Sequence, residues 1–240
     1  MRELTEKLVA PRLTANLKKT RFGRLKLALL AEEKRGYEAA IESLVDYNPH
    51  ARFIDLGCGD WRLTFRIAKK IGTEDISGVD LKIIENSRAK GYQSDLNHKL
   101  MVESERFDVV VASNILEHLA NTDGFLKEIH RILKPSGYAV ISTPNLASWH
   151  NIIYLLLGRQ PEVACVSDEL EGFEQSAHKR LFTFPGLIRA LKLHRFKIER
   201  IVGAAYHPLP LPLARIACAV DTFHSSVINI RIRRELNKYA

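Results

Sequence analysis

Short apolar runs that end in an acid or a glycine alternate along this chain with longer segments whose apolar residues recur at helical spacing. That alternation predicts an α/β protein built on a mostly parallel sheet. Arg52 to Asp55 reads as a first strand, and Trp61 to Ile71 as a first helix with Leu63, Ile67 and Ile71 on one face. Asp75 to Asp80 reads as a second strand. Fourteen residues separate Asp80 from Asp95, so a helix between them must be short. Phe107 to Ala112 is almost continuously apolar, as a parallel strand covered on both faces should be. Asn121 to Leu133 reads as a helix with Phe125, Ile129 and Ile132 turned inward and Pro135 ending it, followed by a strand over Tyr138 to Thr143. Phe184 to Leu193 is a further helix. Phe196 to Val202 and Val227 to Arg233 read as the last two strands, an antiparallel hairpin-like edge.

The remaining segments divide the chain. Residues 1–46 read as a helical lead-in, with Leu25, Leu27, Leu29, Leu30, Tyr37, Ala40, Ile41 and Leu44 near helical spacing. Residues 47–234 form the main domain, and 235–240 a tail. Within the domain, 146–183 exceeds what a minimal sheet needs: an apolar helix, Trp149 to Leu157, precedes an acidic loop, Ser167 to Gly172. Segments of that length in a compact domain are usually lids or binding loops. Leu209 to Val220 is apolar but carries prolines and Arg215, and reads as a buried helix face. The prolines of His207 to Pro212 make a rigid connection.

The most informative run is Arg52-Phe-Ile-Asp-Leu-Gly-Cys-Gly-Asp60, a strand ending in an acid and a Gly-x-Gly turn. Asp80 closes the second strand and Asp95 follows a third short run. Such an arrangement suits a nucleoside cofactor at the carboxyl ends of parallel strands. A dinucleotide fingerprint would need a third glycine at position 62, which is Arg62, so a nicotinamide dehydrogenase is disfavoured. A carboxylate at Asp55 suits an ammonium group, and one at Asp80 suits ribose hydroxyls. Together they point to S-adenosylmethionine (SAM).

With these residues the chain resembles the class I SAM-dependent methyltransferases over roughly Tyr47 to Arg234. The family's first motif matches Asp55-Leu56-Gly57-Cys58-Gly59, its fourth-strand motif Phe107 to Asn114 followed by Leu116-Glu117-His118-Leu119, and its fifth-strand signal Leu133 to Tyr138 and Val140 to Asn145. The resemblance implies a three-layer αβα sandwich on a seven-stranded, mostly parallel sheet with one antiparallel strand. It implies SAM as cofactor and S-adenosylhomocysteine as product. The cofactor would be held by Asp55, Gly57, Cys58, Gly59, Asp80 with Leu81, Asp95 with Leu96, Asn114 and His118. Trp61 stands where the family often has a third glycine; it either walls the methionine end or packs on the sheet.

Composition narrows the partners. The formal charge is +8, and Lys18, Lys19, Arg21, Arg24 and Lys26 crowd the front of the chain. A basic cluster can mark nucleic acid, but only Phe22 interrupts it, so no stacking platform is evident and a solvated helix face is the favoured reading. Cys58, Cys165 and Cys218 are far apart, which fits a reducing cytoplasm, and no His-x-x-x-His or Cys-x-x-Cys pair occurs, so no metal site is expected. The charged start, Met1 to Ala10, does not read as a signal peptide, and no apolar run is long enough for a transmembrane segment.

Methyl transfer from a sulfonium is an in-line displacement, and holding the reacting atoms in line is most of the task. A base helps where a hydroxyl must lose its proton. His178 and His150, flanking the inserted segment, and His118, after the fourth strand, are the candidate catalytic residues. Asn145 and Pro144 are expected to border the acceptor, with Lys179 and Arg180 available to an acidic one and Tyr206 and His207 as further candidates. The reading is methyl transfer to a small-molecule acceptor at oxygen: a saccharide, a glycan-lipid or a quinone-like compound, with the saccharide slightly favoured. The rivals are an RNA or protein methyltransferase and a non-catalytic SAM-binding protein. Ser113-Asn114-Ile115-Leu116 lacks the Asn/Asp-Pro-Pro-Tyr/Phe of base-amino methylation.

Overall fold

The structure is a computed structural model that describes residues 36–161, 163–164 and 178–235. The basic cluster at Lys18 to Lys26, most of the helical lead-in, Cys165, the acidic loop and the tail beyond Glu235 lie outside them. A helix over 36–42 (α1) opens the described chain. There follow β1 (Phe53–Leu56), α2 (Arg62–Ile71), β2 (Ile76–Asp80), β3 (Lys90–Gln93), β4 (Phe107–Ser113), α3 (Thr122–Ile132) and β5 (Leu133–Pro144). The chain continues through α4 (Trp149–Leu156), α5 (Phe184–Leu193), β6 (Phe196–Ala204), α6 (Leu211–Val220) and β7 (Val227–Arg234).

The seven strands form one sheet in the order β3-β2-β1-β4-β5-β7-β6. Only β7 is antiparallel, to both β5 and β6. The expected edge hairpin is therefore a strand inserted between β5 and β6. Alternate residues of the central strands feed two cores. Ile54, Val110, Ala139 and Ile141 meet Phe125 and Ile129 of α3 and Leu187 of α5 on one face. Phe53, Val109, Val111 and Val140 meet Leu63, Ile67 and Ile71 of α2 and Ile41 of α1 on the other. Burial on both faces explains the continuous apolar runs of β1 and β4, and the layers are the αβα sandwich. The strand order reverses at the β1–β4 pair, which opens a crevice above their carboxyl ends.

Some boundaries differ from the sequence reading, for local reasons. No helix lies between β2 and β3. The nine residues 81–89 are too few for one, and the side chain of Asn86 accepts from the Arg88 N–H at 3.0 Å, holding a turn instead. Pro135 does not end α3 but lies inside β5: Leu133 is already extended, as is natural two residues before a proline that disfavours helix at Lys134. Arg231, almost fully buried in β7, pairs with Glu199 and Asp46, stacks its guanidinium over the Tyr138 ring at 3.7 Å, and donates to the Leu44 carbonyl, which fastens the end of the α1 segment to the sheet. Asn121 caps α3 by accepting from Gly124 N–H at 3.0 Å. Asn121→Ala is expected to cost about 1 kcal/mol in urea unfolding.

The helix expected over Leu209 to Val220 forms as α6, but not as a buried one. Ala214 and Cys218 face inward, while Leu213, Ile216 and Val220 are exposed. In α4 and just beyond it, Ile153, Leu155, Leu156 and Leu157 are exposed too. Among the described residues, no helix is long and apolar enough to cross a membrane.

Candidate active site

The turn after β1 is shaped by positive φ at Gly57 (90°) and Gly59 (52°), which glycine adopts without a Cβ penalty. Gly57 N–H and Cys58 N–H donate to the Val79 carbonyl at 2.8 and 3.1 Å, and Gly59 N–H donates to Asp80 Oδ2 at 2.9 Å. A Cβ on Gly57 would lie 2.2 Å from Cδ1 of Ile115, so the loops after β1 and β4 nearly touch. Trp61 is buried at φ 65°, a conformation better suited to glycine. Its indole donates to the Ile84 carbonyl at 2.6 Å and its ring lies over Gly78 and Gly91. Trp61 thus packs on the sheet.

The other expected cofactor residues fall around this turn. Asp55 is fully buried and accepts from the Thr64 hydroxyl at 2.6 Å, which ties the end of β1 to α2. Asp80 is half-buried at the end of β2, and Leu81 beside it is exposed. Asp95 follows β3 and accepts from both the backbone and the side chain of Asn97 at 2.9 Å, with Leu96 buried behind it. Asn114 stands after β4 at φ 51°; its N–H donates to the Ser142 carbonyl at 2.9 Å, while its buried Oδ1 accepts no hydrogen bond. A glycine cradle that tolerates no Cβ, a strand-end carboxylate and an orphaned amide oxygen fit an adenosyl ligand with a charged tail. Asp55 supports the turn through its bond with Thr64.

Two of the three candidate histidines come together. The His118 and His178 rings lie 4.9 Å apart. The segment entering α5 returns against the β4 loop: Lys179 and Arg180 N–H donate to the Glu117 carbonyl at 2.7 and 3.1 Å, and Asn145 bridges Phe182. Lys179 and Arg180 therefore fasten His178 in place through their backbone. Between the histidines lies Glu117, 1% exposed. Its Oε2 accepts from the Thr143 hydroxyl at 2.9 Å, and its Oε1 accepts no hydrogen bond and lies 3.9 Å from His118 Nε2. Burial pushes the Glu117 pKa up to about 7, against the opposing hydrogen bonds from the backbone and Thr143. His178 Nδ1 lies 2.6 Å from the Val163 carbonyl, which can only accept, so the neutral ring keeps its lone pair on Nε2. Sequence reasoning alone does not single out Glu117, although a carboxylate next to His118 just past an apolar strand is a visible signal.

The third histidine lies elsewhere. His150 packs against His207 at 5.0 Å, and His207 Nδ1 meets the Ser226 hydroxyl at 2.9 Å. Tyr206 donates to Asp221 at 2.7 Å, and burial together with that carboxylate pushes the phenol up to about 12, which suits a fixed donor and not a base. Trp149 also donates to Asp221, at 3.0 Å, joining the start of α4 to the end of α6. Asn145, expected at the acceptor, is fully buried and donates to the Phe223 and Ser225 carbonyls at 2.9 and 2.7 Å. It knits β5 to the approach to β7.

The methyltransferase domain family matches residues 22–196, well over half of the chain, and the chain belongs to that family. Its fold is that of the class I SAM-dependent methyltransferases. A SAM-dependent methyltransferase from Mesorhizobium loti superposes with a TM-score of 0.57 at 18% identity, covering 82% of this chain and 96% of that one. The 1,6-didemethyltoxoflavin-N1-methyltransferase of Burkholderia thailandensis, solved with S-adenosylhomocysteine, gives a TM-score of 0.54 at 19% identity over 94% and 91% of the two chains. In sequence, a ubiquinone biosynthesis O-methyltransferase of Bradyrhizobium diazoefficiens is 32% identical over 119 residues, 45% of this chain and 46% of that one. The match spans about half the length of the curated relatives named first.

Proposed function

We propose that this protein binds SAM across Gly57 to Gly59, Asp80, Asp95 with Leu96, and Asn114, and transfers the methyl group to a hydroxyl oxygen of a small acceptor. The observation that carries this reading is the cluster of buried Glu117 with half-buried His118 and His178, set beside the glycine turn by the same β4 loop that brings Ile115 onto Gly57. SAM supplies an activated methyl group when bound. The chain's own residues then have to place the acceptor oxygen in line with it, keep water out and help the hydroxyl lose its proton. His118 and His178 do this work, and His150 does not.

The acceptor is better read as quinone-like than as a saccharide, which reverses the preference drawn from sequence. The exposed apolar side chains of α4 and α6 offer a surface for an apolar body, and Asp221 holds those two helices together through Trp149. The similarity to ubiquinone biosynthesis O-methyltransferases supports the same choice. Buried cysteines that form no disulfide, Cys58 and Cys218, agree with the cytoplasm as its compartment.

The test is calorimetry with SAM and S-adenosylhomocysteine, then labelled methyl transfer to hydroxylated quinols and to saccharides in parallel. Micromolar binding with labelled quinol is the expected result, and failure to bind either nucleoside would end the reading. His178→Ala is expected to lower turnover at least 100-fold with SAM affinity changed less than twofold, because it removes an acceptor-side group only.

A further inference from the structure

We propose that Glu117, His118 and His178 form a binding site for a divalent cation that holds and acidifies the acceptor hydroxyl. This rests on the methyltransferase reading above and names how its oxygen is activated. One ligand atom from each residue lies within 4.8 Å of the others, near the roughly 3–4 Å separations of atoms sharing one ion about 2.1 Å away. Two further features point to a ligand in that space. Glu117 is 1% exposed, and its Oε1 makes no hydrogen bond while Thr143 holds Oε2 and so fixes the carboxylate plane. A buried carboxylate oxygen without a partner is costly unless something cationic meets it. His178 is oriented by its Nδ1 contact with the Val163 carbonyl, the outer-shell arrangement that turns an Nε2 lone pair toward a metal.

The expectation of no metal rested on spacing within short motifs. His178 lies 60 residues beyond His118, and the Lys179 and Arg180 bonds to the Glu117 carbonyl bring it back. Two imidazoles and one carboxylate suit Mn²⁺, Fe²⁺, Co²⁺ or Zn²⁺ better than Mg²⁺ or Ca²⁺, which prefer oxygen ligands alone. Three protein ligands leave positions open, as catalytic sites do. Those positions suit an acceptor with two adjacent oxygens, a catechol or a cis-diol. The bound hydroxyl gives its proton to water. Its oxygen then attacks the sulfonium methyl, so that a C–O bond forms as the C–S bond breaks and the neutral thioether leaves. A mono-hydroxyl acceptor gains less from such a site.

The experiment uses the full chain, stripped with chelator and titrated with Co²⁺, read by its visible absorption, and with Mn²⁺, read by loss of its free-ion paramagnetic resonance signal. SAM is titrated calorimetrically on the same samples. Saturable binding of a single ion is expected, weakened at least tenfold in both Glu117→Gln and His178→Ala, with SAM affinity retained. His178→Ala decides the matter should Glu117→Gln fail to fold, since His178 is only half-buried. Absence of saturable binding, or binding unchanged in His178→Ala, overturns the cation site. If SAM binds and methyl transfer persists with no ion bound, the cation inference fails alone and the methyltransferase reading stands. If the ion binds but SAM does not, the cation site stands and the methyltransferase reading falls.

Discussion

Asp80→Ala is expected to weaken SAM binding by about 100-fold or more while leaving the protein folded. Asp80 ends β2 beside the glycine turn, half-buried, and its Oδ2 already accepts from Gly59 N–H at 2.9 Å. Each carboxylate oxygen can accept more than one hydrogen bond, so the group can hold the turn and still receive two ribose hydroxyls. A hydrogen bond to a charged group contributes roughly 1.5–3 kcal/mol. Losing two therefore removes about 3 kcal/mol or more, and each 1.4 kcal/mol is tenfold in affinity. The loosened Gly59 adds to the loss. Asp80→Asn keeps an acceptor without the charge and should fall between, near tenfold. Calorimetry on the three proteins reads this directly. Wild-type affinity in Asp80→Ala would mean that SAM, if it binds, binds elsewhere.

The parts of this fold that were legible in sequence are those where local chemistry and burial agree. Asp55-Leu-Gly-Cys-Gly59 announced a strand and a turn because only glycine takes φ near 90° so close to Ile115. The apolar run of β4 was plain because both faces are covered. What was not legible depends on residues distant in the chain. Nothing near Trp61 says that Gly78 and Gly91 make room for its ring. Nothing near His178 says that Glu117 receives the next two backbone amides. Asn145 looked like a ligand-facing residue because it ends β5, yet the carbonyls that claim it are those of Phe223 and Ser225. The apolar helix α6 read as core because periodicity reports an apolar face without saying what covers it.

Trp61 and Gly78 are expected to be strongly coupled, and the coupling distinguishes sheet packing from a role in walling the cofactor. A Cβ on Gly78 would lie 2.6 Å from Cζ3 of the indole and 2.8 Å from Cys58 Cβ. In the wild-type background Gly78→Ala should then cost about 2 kcal/mol, since neither a packed ring nor a strand backbone can give way freely. Trp61→Ala should cost about 3–5 kcal/mol through lost burial and the lost bond to the Ile84 carbonyl. In the double variant the two closest clashes, both with the ring, are gone, while the Cys58 contact remains. The cost of Gly78→Ala should fall below about 1 kcal/mol, a coupling of roughly 1–2 kcal/mol. Trp61→Gly should be less damaging than Trp61→Ala by about 1 kcal/mol, because φ 65° is strained for any side chain. Urea unfolding of wild type, the three single variants and the double variant measures every term. Trp61→Phe, which keeps a ring over the two glycines, should retain SAM affinity within about threefold, roughly 0.7 kcal/mol. Strictly additive costs for Trp61→Ala and Gly78→Ala would show that the indole does not rest on Gly78. A large loss of SAM affinity in Trp61→Phe, with stability unchanged, would place the ring against the cofactor instead.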